Sequence, residues 1–369
     1  MPQRQDSEYY PALTGIRALA AYLVYLHHVN PFRPWSGLWR LANEGHIGVT
    51  IFFVLSGFLI TTRNFGLPTI TRAWAGRYFR NRLARIYPLY LLLTVLTFLV
   101  FQLDPSFDVT GAWAVYSGCD KAVAVLANVT LLRGFFAQLF SSGIMQGWTL
   151  TVEESFYILA PLLLLALARS RGPYRLLLLT AGTLAALGAA LVYLAPAGPY
   201  GFLDTYRFMA YRTFFGRAFE FMAGTALAIF WRQHGAARPG ARFTSAGLLW
   251  IGASMLGLSF LSSEQTFSWN RWYGIALNNL VLPLGIVGLF YGLLTERTGL
   301  ARLLATPAVQ LLGKASYAFY LVHLGIFNLA LERYVTTHQG LRFGLLLGLS
   351  GALYQYVEAP LNRLLRRGA

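Results

Sequence analysis

Cysteine occurs once in the 369 residues, at Cys119. A single thiol excludes an intrachain disulfide and leaves no thiolate cluster for a metal, so no metal site is expected. Charge is scarce as well. Asp, Glu, Lys and Arg make up 12% of the chain, about half the ~25% usual in a soluble protein. Acids are the scarcer sign, 14 against 30 basic residues, for a net charge of +16. That excess would suit nucleic acid, but the basic residues fall between hydrophobic runs, as the positive-inside rule arranges them, and no nucleic-acid partner is expected. No cleavable leader is expected from the first residues either. Met1 to Tyr10 is polar, and the first apolar stretch carries Arg17 and no small-residue cleavage site. With no internal repeat, low-complexity tract or hinge-like linker, residues 1–369 read as one membrane domain.

Hydrophobic residues are what the chain has in excess, 56% of the total. Apolar runs long enough to cross a bilayer recur from end to end, which predicts an all-α polytopic bundle of about ten transmembrane helices. They fall near 12–29, 46–62, 86–103, 148–168, 175–194, 208–231, 243–261, 272–294, 309–331 and 343–360. With the N-terminus inside, eighteen basic residues lie on inner segments and eight on outer ones. Both termini are therefore expected in the cytoplasm. The stretch 121–140 does not fit as a single span, because it would carry Arg169, Arg171 and Arg175 to the outside. It is expected as an outer interfacial or re-entrant segment, within a long outer loop over 104–147.

Arg17 and His28 lie inside the first apolar run. A charge at the bilayer centre costs about 2.5–3.5 kcal/mol on insertion scales, so ionisable residues there usually face a polar cavity or a partner. Eleven positions separate the two, which is about three turns, about 16 Å, and nearly the same azimuth. One helix face thus carries a deep cation and, near its outer end, the side chain best suited to moving protons near neutral pH.

Other spans carry polar groups with two readings each. Ser56-Gly57 in the second span suits close helix packing or the passage of a thin substrate arm. His46 at its outer mouth is an interfacial histidine or a ligand. Arg80, Arg82 and Arg85 precede the third span, where paired guanidinium forks suit phosphates but also serve topology and anionic lipid. Trp148-Thr-Leu-Thr-Val-Glu153 opens the fourth span with two adjacent acids near a helix N-terminus, favoured by its dipole. Arg217 and Glu220 stand at i, i+3, the spacing of a neutralising structural pair. Arg212 is a further cation with no partner nearby in sequence. Ser316, Tyr320 and His323 fall on one face of the ninth span, a polar stripe or a satisfied core histidine.

Taken in order, these motifs resemble the membrane acyltransferase-3 family, which acylates sugars and other hydroxyl compounds. The resemblance rests on Arg17 with His28, Gly48-Val with Phe52-Phe-Val-Leu-Ser-Gly-Phe58, and Arg82-Leu-Ala-Arg-Ile-Tyr-Pro88. Trp148 to Glu153 with Phe156-Tyr157, Arg217 to Gly224, Gly313-Lys-Ala-Ser-Tyr with Tyr320-Leu-Val-His323, and Glu358-Ala-Pro360 complete it. It departs from the family's frequent pattern at Ser155 and after His323, where Leu-Gly stands in place of Trp-Pro. The chain is similar to the stand-alone form, without a fused hydrolase-like domain.

The resemblance implies a multi-pass protein of a bacterial cytoplasmic or inner membrane. It would move an acyl group, chiefly acetyl, from cytoplasmic acyl-CoA to a hydroxyl of a carbohydrate, glycolipid or glycosylated small molecule. Acyl-CoA is then a co-substrate, and no permanently bound cofactor is expected. His28 would act as general base or carry the acyl group, with Arg17 steadying the donor or the developing oxyanion. Glu153 would orient His28 or bind acceptor hydroxyls. Arg80, Arg82 and Arg85 would hold CoA phosphates, and Ser56-Gly57 would pass the pantetheine arm. Trp148, Tyr157, Tyr320 and His323 would line the acceptor site, and Arg217–Glu220 would shape the cavity. Two other classes remain open on the residues alone. A proton-coupled transporter also uses intramembrane Arg, His and Glu, and a lipid-binding scaffold needs only the basic inner segment.

Overall fold

In the computed structural model, residues 9–34, 36–65, 71–196, 198–234, 240–263 and 266–367 are described. Arg4 and Arg238, which entered the charge balance above, lie outside them. Among the described residues the secondary structure is helical, with one isolated bridge between Phe136 and Phe202. Among the described residues, six helices are long and apolar enough to cross a membrane: Gly37–Asn64, Arg72–Leu103, Met145–Arg169, Pro173–Leu194, Arg242–Leu261 and Trp272–Thr295. The chain is a polytopic helical membrane protein. The helix Gly118–Val129 has 12 residues, about 18 Å, short of the ~30 Å hydrocarbon core, so it does not span alone.

The chain divides into two compact units that alternate along the sequence. The first comprises Met1–Thr69, Ala160–Gly182 and Ala218–Lys314. It contains α1 (Pro11–His28), α2 (Gly37–Asn43) and α3 (Ile47–Asn64). Proline opens α1, where its missing N–H costs nothing. Small residues set the spacing here. A Cβ at Gly48 would collide with the Ala20 carbonyl, one at Gly57 with the Phe221 carbonyl, and one at Gly224 with the Val54 carbonyl. Helix backbones therefore touch, as they do where lipid supplies no hydrophobic drive between helices. Leu13, Ile16, Ile51, Val54, Phe58, Ile286 and Phe290 fill the core between them.

The second unit comprises Ile70–Leu159, Thr183–Arg217 and Ala315–Ala369. Its longest element is α4 (Arg72–Leu103), 32 residues capped by the Thr71 hydroxyl and carrying Pro88 inside. The arginine-rich segment expected as an inner loop is thus the first half of this helix. Pro88 has no N–H for the Ala84 carbonyl one turn back. Asn362 supplies the missing donor, its Nδ2 lying 3.1 Å from that oxygen.

Several expected spans are not continuous. The stretch 208–231 is two helices, Tyr206–Arg212 and Phe214–His234, because Thr213 is extended. The stretch 309–331 breaks after Val322, and Gly325, at φ +70°, turns the chain into Ile326–Tyr334. The stretch 343–360 runs from an α-helix ending at Leu353 into a π turn over Tyr354–Glu358. A second π turn, Leu277–Val281, interrupts the helix that begins at Trp272.

Candidate functional site

The first unit holds Arg17, His28, Ser56, Gly57 and Glu220. His28 is the last residue of α1 and is exposed, whereas Arg17 is half-buried in mid-helix. The Nδ1 of His28 lies 2.8 Å from the Val24 carbonyl. A carbonyl only accepts, so Nδ1 carries the proton, and in the neutral ring the lone pair belongs to Nε2. His27 packs against His28 with ring centroids 4.7 Å apart.

The Phe221 backbone occupies the space beside Gly57, so the two helices pack closely there. Glu220 is fully buried and accepts from the Thr50 hydroxyl at 3.1 Å. Thr50 also approaches Asn278 at 3.4 Å, and the Asn278 amide donates to Asn279 at 2.8 Å. Both asparagines are buried in the π turn. Such turns are frequent at functional sites. Their sequence signal is two adjacent amides in an apolar span, which belong to none of the motifs above. A cleft of about 620 Å³ elsewhere in this unit is lined by Tyr10, Leu13, Leu293, Arg297, Ala301 and Arg302. It contains none of the motif side chains.

The second unit holds Arg80, Arg82, Arg85, Trp148, Glu153, Tyr157, Arg217, Tyr320 and His323. Arg82 and Arg85 share a face of α4, one turn apart. Arg82 is buried, with its guanidinium carbon 5.7 Å from the Tyr78 ring centre and 5.5 Å from that of Tyr157. Its Nε–H has no hydrogen-bond partner among the described residues. Glu153 and Glu358 act electrostatically on Arg85. The Tyr157 hydroxyl donates to Glu153 one turn back, and Tyr78 donates to the Tyr157 carbonyl at 3.1 Å. These motif residues, scattered over the sequence, thus form one cationic and phenolic cluster.

Trp148 belongs to a different arrangement. The Arg212 guanidinium lies over the rings of Trp148, Tyr211 and Phe140 at 4.8, 5.0 and 5.1 Å. This cation, which has no acid nearby in sequence, is held by three aromatic faces. Arg217 is fully buried and donates to the Tyr211 carbonyl at 3.1 Å. Tyr320 and His323 are buried too. The Tyr320 hydroxyl meets Thr149 at 2.9 Å, its carbonyl accepts from Gln146 at 2.6 Å, and His323 Nδ1 lies 2.8 Å from that same carbonyl. The Phe319 ring stacks on His323. Gln146 and Thr149 tie the break after Val322 to the start of helix Trp148–Arg169, a link no local pattern announces.

A family model described as "Acyltransferase domain" matches residues 10–354. Among curated proteins, the chain is 26% identical over 345 residues to a peptidoglycan O-acetyltransferase, OatA, of Listeria monocytogenes, covering 88% of this chain and 50% of that one. It is 24% identical over 385 residues to an O-acetyltransferase, OatA, of Staphylococcus aureus strain NCTC 8325, covering 96% and 57%. A putative O-acetyltransferase, SACOL0978, of Staphylococcus aureus strain COL is 23% identical over 348 residues, covering 89% and 52%. The chain therefore spans about half the length of the curated relatives it matches. No solved structure matches it.

Proposed function

The chain belongs to the acyltransferase-domain family, and from that membership we propose that it is a membrane O-acetyltransferase that moves an acetyl group from acetyl-CoA to a carbohydrate hydroxyl. The observation that carries the reading is His28, exposed at the end of α1 with Nδ1 bonded to the Val24 carbonyl, which makes Nε2 the basic nitrogen of the neutral ring. In this reading His28 Nε2 takes the proton of the acceptor hydroxyl as its oxygen attacks the thioester carbonyl carbon. The C–S bond then breaks, and the imidazolium returns that proton to the leaving CoA sulfur. Arg17, about 16 Å back along α1 from His28, is assigned to steadying the donor.

The donor's phosphates are assigned to Arg80, Arg82 and Arg85. The buried Arg82 with a spare Nε–H fits a phosphate oxygen. Glu153 is assigned to acceptor hydroxyls. Peptidoglycan is the acceptor in the name of the Listeria relative, and a glycan of that kind is the acceptor class proposed here.

Membranes carrying the wild type should transfer label from radiolabelled acetyl-CoA to a glycan fraction, and His28→Ala should lower that transfer by at least about a hundredfold, the low end for a general base. Equal labelling by the variant would sink the assignment of His28. A wild type that neither transfers label nor binds CoA would favour the transporter reading.

A further inference from the structure

The rings that continue outward from His28 belong to no motif. His27 touches His28, and it also meets His46 at 5.6 Å and Trp269 at 5.4 Å between centroids. His46 meets Trp269 at 5.1 Å. Trp269 stacks flat on Phe267, 4.6 Å apart with 8° between the planes. Phe267 in turn lies 6.4 Å from Trp39. All of these residues are in the first unit. His28 is exposed, and His27, Trp39, Phe267 and Trp269 are half-buried, so the rings form a continuous wall with surface to offer.

Beneath the wall lies Glu44, with no exposed surface at all. Its carboxylate accepts from the Ser262 and Ser268 hydroxyls, each at 2.7 Å, and lies 2.9 Å from His46 Nε2. Ser262 Oγ accepts from the Ser268 N–H at 3.0 Å. A buried carboxylate is tolerable only when several donors surround it, and these donors are then held in place. Ser268 sits between Phe267 and Trp269 in the chain. Glu44 therefore fixes the backbone that carries both aromatic rings, and through His46 it fixes an imidazole against the same wall.

We propose that Trp39, Phe267 and Trp269 form the subsite that receives a sugar ring of the acceptor, with Glu44 as its positioning residue. This rests on the acyl-transfer reading. If His28 takes the acceptor's proton, the body of the acceptor lies within a few ångströms of His28, and this wall is what the first unit presents there. The chemistry matches a pyranose. Its C–H faces are apolar and suit aromatic faces, while its hydroxyl rim suits the imidazoles and the amide of Asn30, which already donates to the Trp39 carbonyl at 2.9 Å.

The test is steady-state kinetics of the full chain in lipid nanodiscs, with acetyl-CoA as donor and a β-1,4-linked N-acetylglucosamine tetramer as acceptor probe. Trp269→Ala should raise the acceptor KM about five- to tenfold, the size of one lost aromatic contact, with the acetyl-CoA KM unchanged. Trp269→Phe should recover most of that loss. Glu44→Gln should raise the acceptor KM in the same direction, again without moving the donor KM. Transfer by the wild type with an acceptor KM that neither variant alters would overturn the subsite and leave the acyl-transfer reading standing. A change confined to the acetyl-CoA KM would overturn it too, by giving the wall to the donor. No transfer by the wild type to the tetramer or to membrane glycans would overturn the acyl-transfer reading, and the subsite with it.

Discussion

Glu296 ends one helix and begins another. It follows Thr295, the last residue of helix Leu282–Thr295, and its carboxylate accepts from the N–H groups of Phe243 and Thr244 at 2.8 and 2.9 Å and from the Thr244 hydroxyl at 2.7 Å. Helix Arg242–Leu261 has no capping side chain of its own at Ala241, so Glu296 serves as its N-cap from 52 residues away. Burial pushes this carboxyl upward, but the hydrogen bonds from Thr244, Phe243 and Arg242 outweigh it and hold it below the ordinary value of 4.5. A group whose folded value is depressed contributes stability that is fully present above its unfolded value and is lost as the pH falls through the folded one. Glu296→Gln should therefore cost about 1–2 kcal/mol near neutral pH, seen as a lower thermal midpoint in detergent. The gap from wild type should close as the pH drops below 4.5. A gap that stays constant into the acid range would show that the charge is not what caps the helix. At this scale the sequence is informative only where a residue breaks the pattern of its neighbours. Arg17 and His28 stand out as ionisable residues in an apolar run, whereas Glu296 and Glu44 look like ordinary acids between spans. Their partners lie far along the chain, and no periodicity connects Glu44 to Ser262 and Ser268.

The elements show the same division. Mid-helix Pro88 is visible in the sequence, but its compensation is not. The Ala84 carbonyl that Pro88 leaves without a donor is supplied by Asn362, from a helix at the other end of the chain. Asn362→Ala should strand that carbonyl and cost about 1–3 kcal/mol, read as a fall in thermal midpoint. Pro88→Ala restores the helical N–H, so in that background the same Asn362→Ala change should cost markedly less. Additive losses in the double-mutant cycle would refute the compensation. Hydropathy located α1 and α3 to within a few residues because continuous apolar helices advertise themselves. It merged Tyr206–Arg212 with Phe214–His234, and it carried the ninth span through Gly325. At both breaks the freed backbone is met by the protein itself. Arg217 donates to the Tyr211 carbonyl, and Gln146 donates to those of Tyr320 and Leu321. Breaks within membrane depth are tolerated on that condition, and a hydropathy window sees only composition.

Orientation belongs to the whole molecule, and α4 makes it testable. Its 32 residues extend about 48 Å, well beyond the ~30 Å hydrocarbon core, so its two ends emerge on opposite sides. Arg72, Arg77, Arg80, Arg82 and Arg85 crowd the first end, and the chain leaves the second at Leu103 on its way to Cys119. The positive-inside rule puts the arginines in the cytoplasm, where acyl-CoA is made, and therefore puts Cys119 outside. Cys119 is exposed and is the only thiol, which makes it an unambiguous reporter. A membrane-impermeant maleimide should label the protein in intact spheroplasts, without permeabilisation, and Cys119→Ser should abolish all label. If labelling instead requires a permeabilised membrane, the arginine end of α4 faces outward. The guanidinium groups assigned to CoA phosphates would then lie across the membrane from their donor. That result would remove the donor half of the proposed reaction even if His28 proved essential. Label on intact cells keeps both halves, with the donor's phosphates at one end of α4 and the acceptor arriving from the side that Cys119 reports.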